Sequence, residues 1–117
     1  MSPRQADARP RASEIKGFAP VFAALGDETR LRLVARLVAD GPLSIARLTA
    51  DTDVTRQAVT KHLHVLADAG LARGTCLGRE QLWELERGPL REARRFLDRV
   101  SRQWDEALGR LKASVER

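Results

Sequence analysis

From Pro89 onward, large apolar side chains return every three or four residues, at Leu90, Ala93, Leu97, Val100, Trp104, Ala107 or Leu108, Leu111 and Val115. A 3,4 spacing held for nearly four heptads describes a helix with a single apolar stripe, and it predicts a helix over 89–116. At 1.5 Å per residue such a helix is about 39 Å long, more than a small domain can cover. Part of the stripe must therefore find another surface. Burying a large side chain is worth about 1.5–3 kcal/mol, and Trp104, with Phe96 at the edge of the stripe, offers the most area. Self-association is the simplest outcome. The expected dimer interface is Phe18, Phe22, Leu90, Phe96, Leu97, Val100, Trp104, Leu108 and Leu111, with the flanking arginines and carboxylates left as a solvated face.

A chain of 117 residues has room for one core. Aromatic residues are only 4% of it, so the core must rest on Leu, Val and Ala, which favours helices. Residues 1–14 hold little that can be buried and are expected to form a disordered basic arm, either a tail without a role or an arm that touches DNA phosphates. Residues 15–117 form the folded unit. Ile15, Phe18, Phe22 and Leu25 make a helical stripe that Gly17 and Pro20 should interrupt, so a first helix is expected from about Pro20.

Asp27 is a suitable N-cap for a second helix that carries Leu31, Val34, Leu37 and Val38 and stops at Gly41-Pro42. Ser44 caps a short helix with Ile45 and Leu48 inward. After the turn Asp51-Thr52-Asp53, Thr55 caps a helix over 56–69 that buries Val59, Leu63 and Leu66 and ends at Gly70. LARGTCL and QLWELE, joined at Gly78-Arg79-Glu80, then read as a hairpin, and Gly88-Pro89 opens the final helix. The predicted fold is mainly α with a small β-hairpin wing.

Two helices joined by a tight turn, the second polar and basic on one face, follow the plan of a helix-turn-helix. Because Val59, Leu63 and Leu66 face inward, the outward face holds Gln57, Thr60, Lys61 and His64, with Arg56 at the end that enters a groove first. Arg forks onto guanine, Gln onto adenine, and Thr offers a hydroxyl or a methyl group. Arg73 and Arg79 in the hairpin are placed to meet phosphates beside the groove. A net charge of +5 suits a polyanionic partner, and between Val54 and Arg79 the one acid is Asp68.

The run LGDETRLRLVARL, followed by VTRQAVTKHLHVLADAGL and a Gly-Arg hairpin ending in LWEL, resembles the ArsR/SmtB group of winged helix-turn-helix repressors over residues 18–115. The resemblance implies a homodimer on double-stranded DNA, commonly released by a small-molecule effector, with recognition contacts at Thr55, Arg56, Gln57, Thr60, Lys61 and His64. It also sets out departures. Metal-sensing members carry a cysteine pair where this chain has Ser44 to Leu48, and others use histidines on the last helix, where this chain has none. No metal and no cofactor are therefore expected. Asp53 stands where a glycine is common.

Other chemistry finds little support. His62 and His64 point about 200° apart on a helix and cannot share a ligand, and His62 reads as a partly buried, hydrogen-bonded residue. Cys76, the only cysteine, reads as a small apolar strand residue and excludes an intrachain disulfide. No nucleophile-base pair or phosphate loop points to an enzyme. No apolar run reaches membrane length and no secretory leader is visible, so a cytoplasmic, non-membrane protein is expected. The alternative to a DNA-binding regulator is a protein-interaction module that docks through its C-terminal heptad helix.

Overall fold

A computed structural model describes residues 9–116. In chain order the elements are α1 (Ala12–Leu25), α2 (Glu28–Asp40), β1 (Leu43–Ser44), α3 (Ile45–Ala50), α4 (Arg56–Asp68), β2 (Ala72–Leu77), β3 (Glu80–Leu85) and α5 (Arg87–Val115). The three expected caps are in place. Asp27 Oδ2 accepts from the Arg30 backbone N–H at 3.0 Å, Ser44 Oγ from Arg47 at 3.2 Å and Thr55 Oγ1 from Ala58 at 3.1 Å. Each satisfies a helix-end donor that would otherwise lack a partner. At the far end of α4, Gly70 takes φ +77° while its N–H reaches the Ala67 carbonyl and that of Leu71 reaches the Leu66 carbonyl. This double closure needs a left-handed residue, and it turns the chain so that Leu71 is buried with Leu66.

The sheet is antiparallel in the order β1-β3-β2. Gly78 and Arg79 form a two-residue hairpin loop, with Gly78 at φ +66°. Gly74 lies opposite Trp83 in the register. A Cβ at position 74 would stand 3.3 Å from Trp83 Cε2 and 2.5 Å from Gln81 Nε2, so the indole fits because this residue has no side chain. Trp83 joins Leu33, Leu48, Val59, Leu63 and Leu66 in the core, where α2, α3, α4 and the root of the hairpin meet.

Several expectations change at the element boundaries. The first helix starts at Ala12, not near Pro20, so residues 12–14 of the expected arm are helical; residues 1–8 of that arm lie outside the described residues. α1 runs through Gly17 and Pro20 because it is held on both sides of the proline. Glu14 pairs with Arg99 at 2.5 Å on one side, and Val21 and Ala24 are buried on the other. On α2 the inward residues are Leu33 and Leu37, whereas Leu31 and Val38 are 50% and 69% exposed. Residues 31 and 38 are two turns apart on the same outward line, so apolar content misassigned that face. α5 begins at Arg87, which puts Pro89 at its third residue, still within the first turn, where a backbone N–H has no helical acceptor. β1 was not foreseen. Two residues leave no alternating pattern to read, and Ser44 both pairs with β3 and caps α3.

Candidate nucleic-acid interface

α3, the turn over residues 51–55 and α4 form the helix-turn-helix. The turn is closed by Thr52, whose Oγ1 donates to the Thr49 carbonyl at 3.1 Å and accepts from the Val54 N–H at 3.3 Å. Val59, Leu63 and Leu66 are fully buried and fix the rotation of α4, which leaves Arg56, Gln57, Lys61 and His64 exposed. At the start of α4, Thr55, Arg56 and Gln57 are all exposed, and the first turn holds no carboxylate to oppose an anion. The spacing of these residues puts three groups suited to base edges and one ammonium on a single side.

The hydroxyls on this surface are partly committed. Thr55 Oγ1 is the cap acceptor described above, and Thr60, half-buried, donates its hydroxyl proton to the Arg56 carbonyl at 2.9 Å. What Thr60 can offer outward is its methyl group and a lone pair. His64 lies with its ring 5.7 Å from that of Trp83, so the outward histidine also leans on the hairpin. The indole N–H of Trp83 is buried and has no acceptor among the described residues.

In the wing, Arg79 is exposed at the hairpin tip. Arg73 is placed differently from expectation. Its guanidinium meets Glu84 at 2.7 Å and Glu86 at 3.1 Å, and these carboxylates, Glu84 first, raise its pKa above the ordinary arginine value. Arg73 would have to leave both acids to reach a phosphate. Cys76 is exposed on β2, not packed as an apolar strand residue, because β2 is an edge strand beyond Gly74.

His62 leaves α4 on the flank turned toward α1 and α2. Its Nδ1 is 3.2 Å from Arg30 Nη1 and 3.9 Å from Asp27 Oδ2. Arginine can only donate, so His62 Nδ1 is the acceptor and the ring proton sits on Nε2. The reading of His62 as a partly buried, hydrogen-bonded residue holds. Its partner Arg30 was missed, although it stands three residues after the Asp27 cap, where a helix residue turns back over the preceding loop.

The surfaces expected to pair divide into two groups. Phe18 and Phe22 pack on Phe96 of the same chain, with ring centres 5.0 and 6.0 Å apart, and Leu90 packs against the core. Leu97, Val100, Trp104, Leu108 and Leu111 are exposed, Trp104 at 63%. Among the described residues, no three His, Cys, Asp or Glu side chains gather as a metal set, and no helix is long and apolar enough to cross a membrane.

Comparison with known proteins agrees with this architecture. Residues 25–75 match the family described as a helix-turn-helix domain. The chain is 40% identical over 87 residues to the HTH-type transcriptional regulator Rv2034 of Mycobacterium tuberculosis, which covers 74% of this chain and 78% of that protein. Among solved structures, an ArsR-like transcriptional regulator from Rhodococcus sp. RHA1 superposes with a TM-score of 0.77 at 33% identity, over 87% of this chain and 95% of that one. The AntR antimony-specific transcriptional repressor superposes with a TM-score of 0.63 at 26% identity, over 90% and 96%. The capped helix pair, the hairpin wing and these relatives together show that the chain belongs to the ArsR family of winged helix-turn-helix transcriptional regulators, which bind DNA.

Proposed function

We propose that this regulator is a repressor that binds an inverted-repeat operator as a homodimer in the cytoplasm. The observation that carries the reading is the pairing of two uncovered surfaces: the polar side of α4 and the apolar line Leu97 to Leu111 on α5. In this reading Arg56, Gln57, Lys61 and His64 meet base edges and phosphates, Thr55 and Thr60 support them at the helix start, and Arg79 touches the backbone beside the groove. Arg73 is a weaker contact because it is already held by Glu84 and Glu86. The α5 line pairs with its copy, and the joined rods space two α4 helices about one turn of B-DNA, roughly 34 Å, apart. A repressor is favoured because AntR, similar over most of its length, is one.

Selection of duplexes from a random pool by the full chain, with light scattering on the free protein, tests this. The expected result is a two-fold symmetric consensus bound by a dimer at nanomolar strength, weakened by Arg56→Ala and Lys61→Ala. A monomer at micromolar concentration, or no enrichment of any sequence, would overturn it.

A further inference from the structure

α1 ends at Leu25, where the Gly26 backbone N–H closes on the Ala23 carbonyl at 3.3 Å and the remaining end carbonyls are open to side-chain donors. Arg30 supplies one. Its Nε donates to the Ala24 carbonyl at 2.6 Å and its Nη2 to the Ala23 carbonyl at 3.4 Å, while its own backbone N–H is held by the Asp27 cap. The third arm of the same guanidinium, Nη1, reaches His62 in α4. One rigid, planar group, carried on the first turn of α2, therefore touches the end of α1 and the flank of the helix that carries Arg56 and Lys61. Val59, Leu63 and Leu66 bury one side of α4 and decide which face looks outward, and the Arg30–His62 hydrogen bond adds a directed contact between that helix and the end of α1.

We infer that Arg30 is a positioning residue for DNA reading, acting through His62 to lock the angle of α4 to the end of α1. The inference rests on the proposed function, in which α4 is the reading helix. Its role is to keep the reading face in register with the sequence it selects, and it makes no contact with DNA itself. Lysine cannot replace it, since one ammonium cannot serve two carbonyls and an imidazole held in a planar fork. Asparagine can replace His62 in part, because its amide oxygen, like Nδ1, is bonded to Cγ and remains an acceptor.

The test uses the full chain and two probes: the duplex selected by the wild type and a scrambled duplex of equal length and composition. His62→Ala is expected to weaken binding to the selected duplex by about tenfold, the scale of one lost hydrogen bond to a charged group. Binding to the scrambled duplex should change by less than about threefold, because phosphate contacts tolerate a small rotation. His62→Asn should recover most of the loss. Arg30→Lys should cost about as much as His62→Ala, and the double variant little more than either. The inference is overturned if His62→Asn is as weak as His62→Ala, if both duplexes lose equally, or if the two single losses multiply. Should Arg30→Lys fail to fold, the His62 pair decides alone, since that side chain is partly exposed. Arg56→Ala and Lys61→Ala serve as controls: indifference there removes the reading helix itself, whatever His62 does.

Discussion

At the level of single residues, two carboxylates hold helix starts and both are acid-sensitive. The Arg99 side chain, then the Arg11 backbone N–H, keep the Glu14 carboxyl below its ordinary value of 4.5. The Arg30 backbone N–H, first among several partners, does the same for Asp27 below 3.8. A carboxylate with a lowered pKa in the fold contributes stability that is complete above its ordinary pKa and disappears as pH falls through the lowered one. Thermal midpoints should therefore be flat near neutrality and drop as the pH goes below about 4.5, and Glu14→Gln should make that drop shallower. A midpoint independent of pH down to about 3 would refute the assignment. Backbone geometry gives a second expectation. Gly70 has φ +77°, and a Cβ there would meet Pro89 Cγ at an ordinary 3.6 Å, so Gly70→Ala should cost only the left-handed strain, about 1–2 kcal/mol by denaturant titration.

Elements respond differently according to which face is altered. Leu111 is 61% exposed, so Leu111→Glu should leave the unfolding free energy of the protomer within about 0.5 kcal/mol and, under the proposed pairing of α5, halve the mass seen by light scattering. Phe96→Glu should instead unsettle the protomer, because that ring supports both Phe18 and Phe22. On α4, Lys61→Ala should reduce the magnitude of the salt dependence of DNA binding by about one ion per protomer, measured as the slope of log affinity against log salt. Legibility in the sequence follows the same division. α4 and α5 were readable because long periodic stripes and strong caps agree with each other. The start of α1 was not, because Pro20 argues locally against a helix that packing maintains, and α2 was misrotated because Leu31 and Val38 are as apolar as the residues that are buried. That Arg56, Gln57, Lys61 and His64 share the exposed face of α4 was visible beforehand. The Arg73 carboxylate pair, the His64–Trp83 contact and the Arg30 fork join distant segments, and no local pattern records them.

The molecule as a whole is elongated, 66 × 33 × 22 Å, with a radius of gyration of 19.0 Å where a compact chain of this length would have about 13 Å. The excess lies in α5, whose outer half touches little of its own chain. The two tryptophans separate these regions: Trp83 sits in the core and Trp104 on the rod. Trp83→Phe also removes the one buried side-chain donor without a protein acceptor among the described residues, so the fold should tolerate it. In that variant Trp104 emission should shift to the blue as concentration rises from nanomolar to micromolar without DNA, and a constant spectrum would count against self-pairing. If pairing occurs as proposed, the bare end of α5 also sets how the cell reads abundance. While most copies are single, the number of competent units grows with the square of the number of chains made, so a modest rise in expression crosses from open promoter to occupied promoter over a narrow interval.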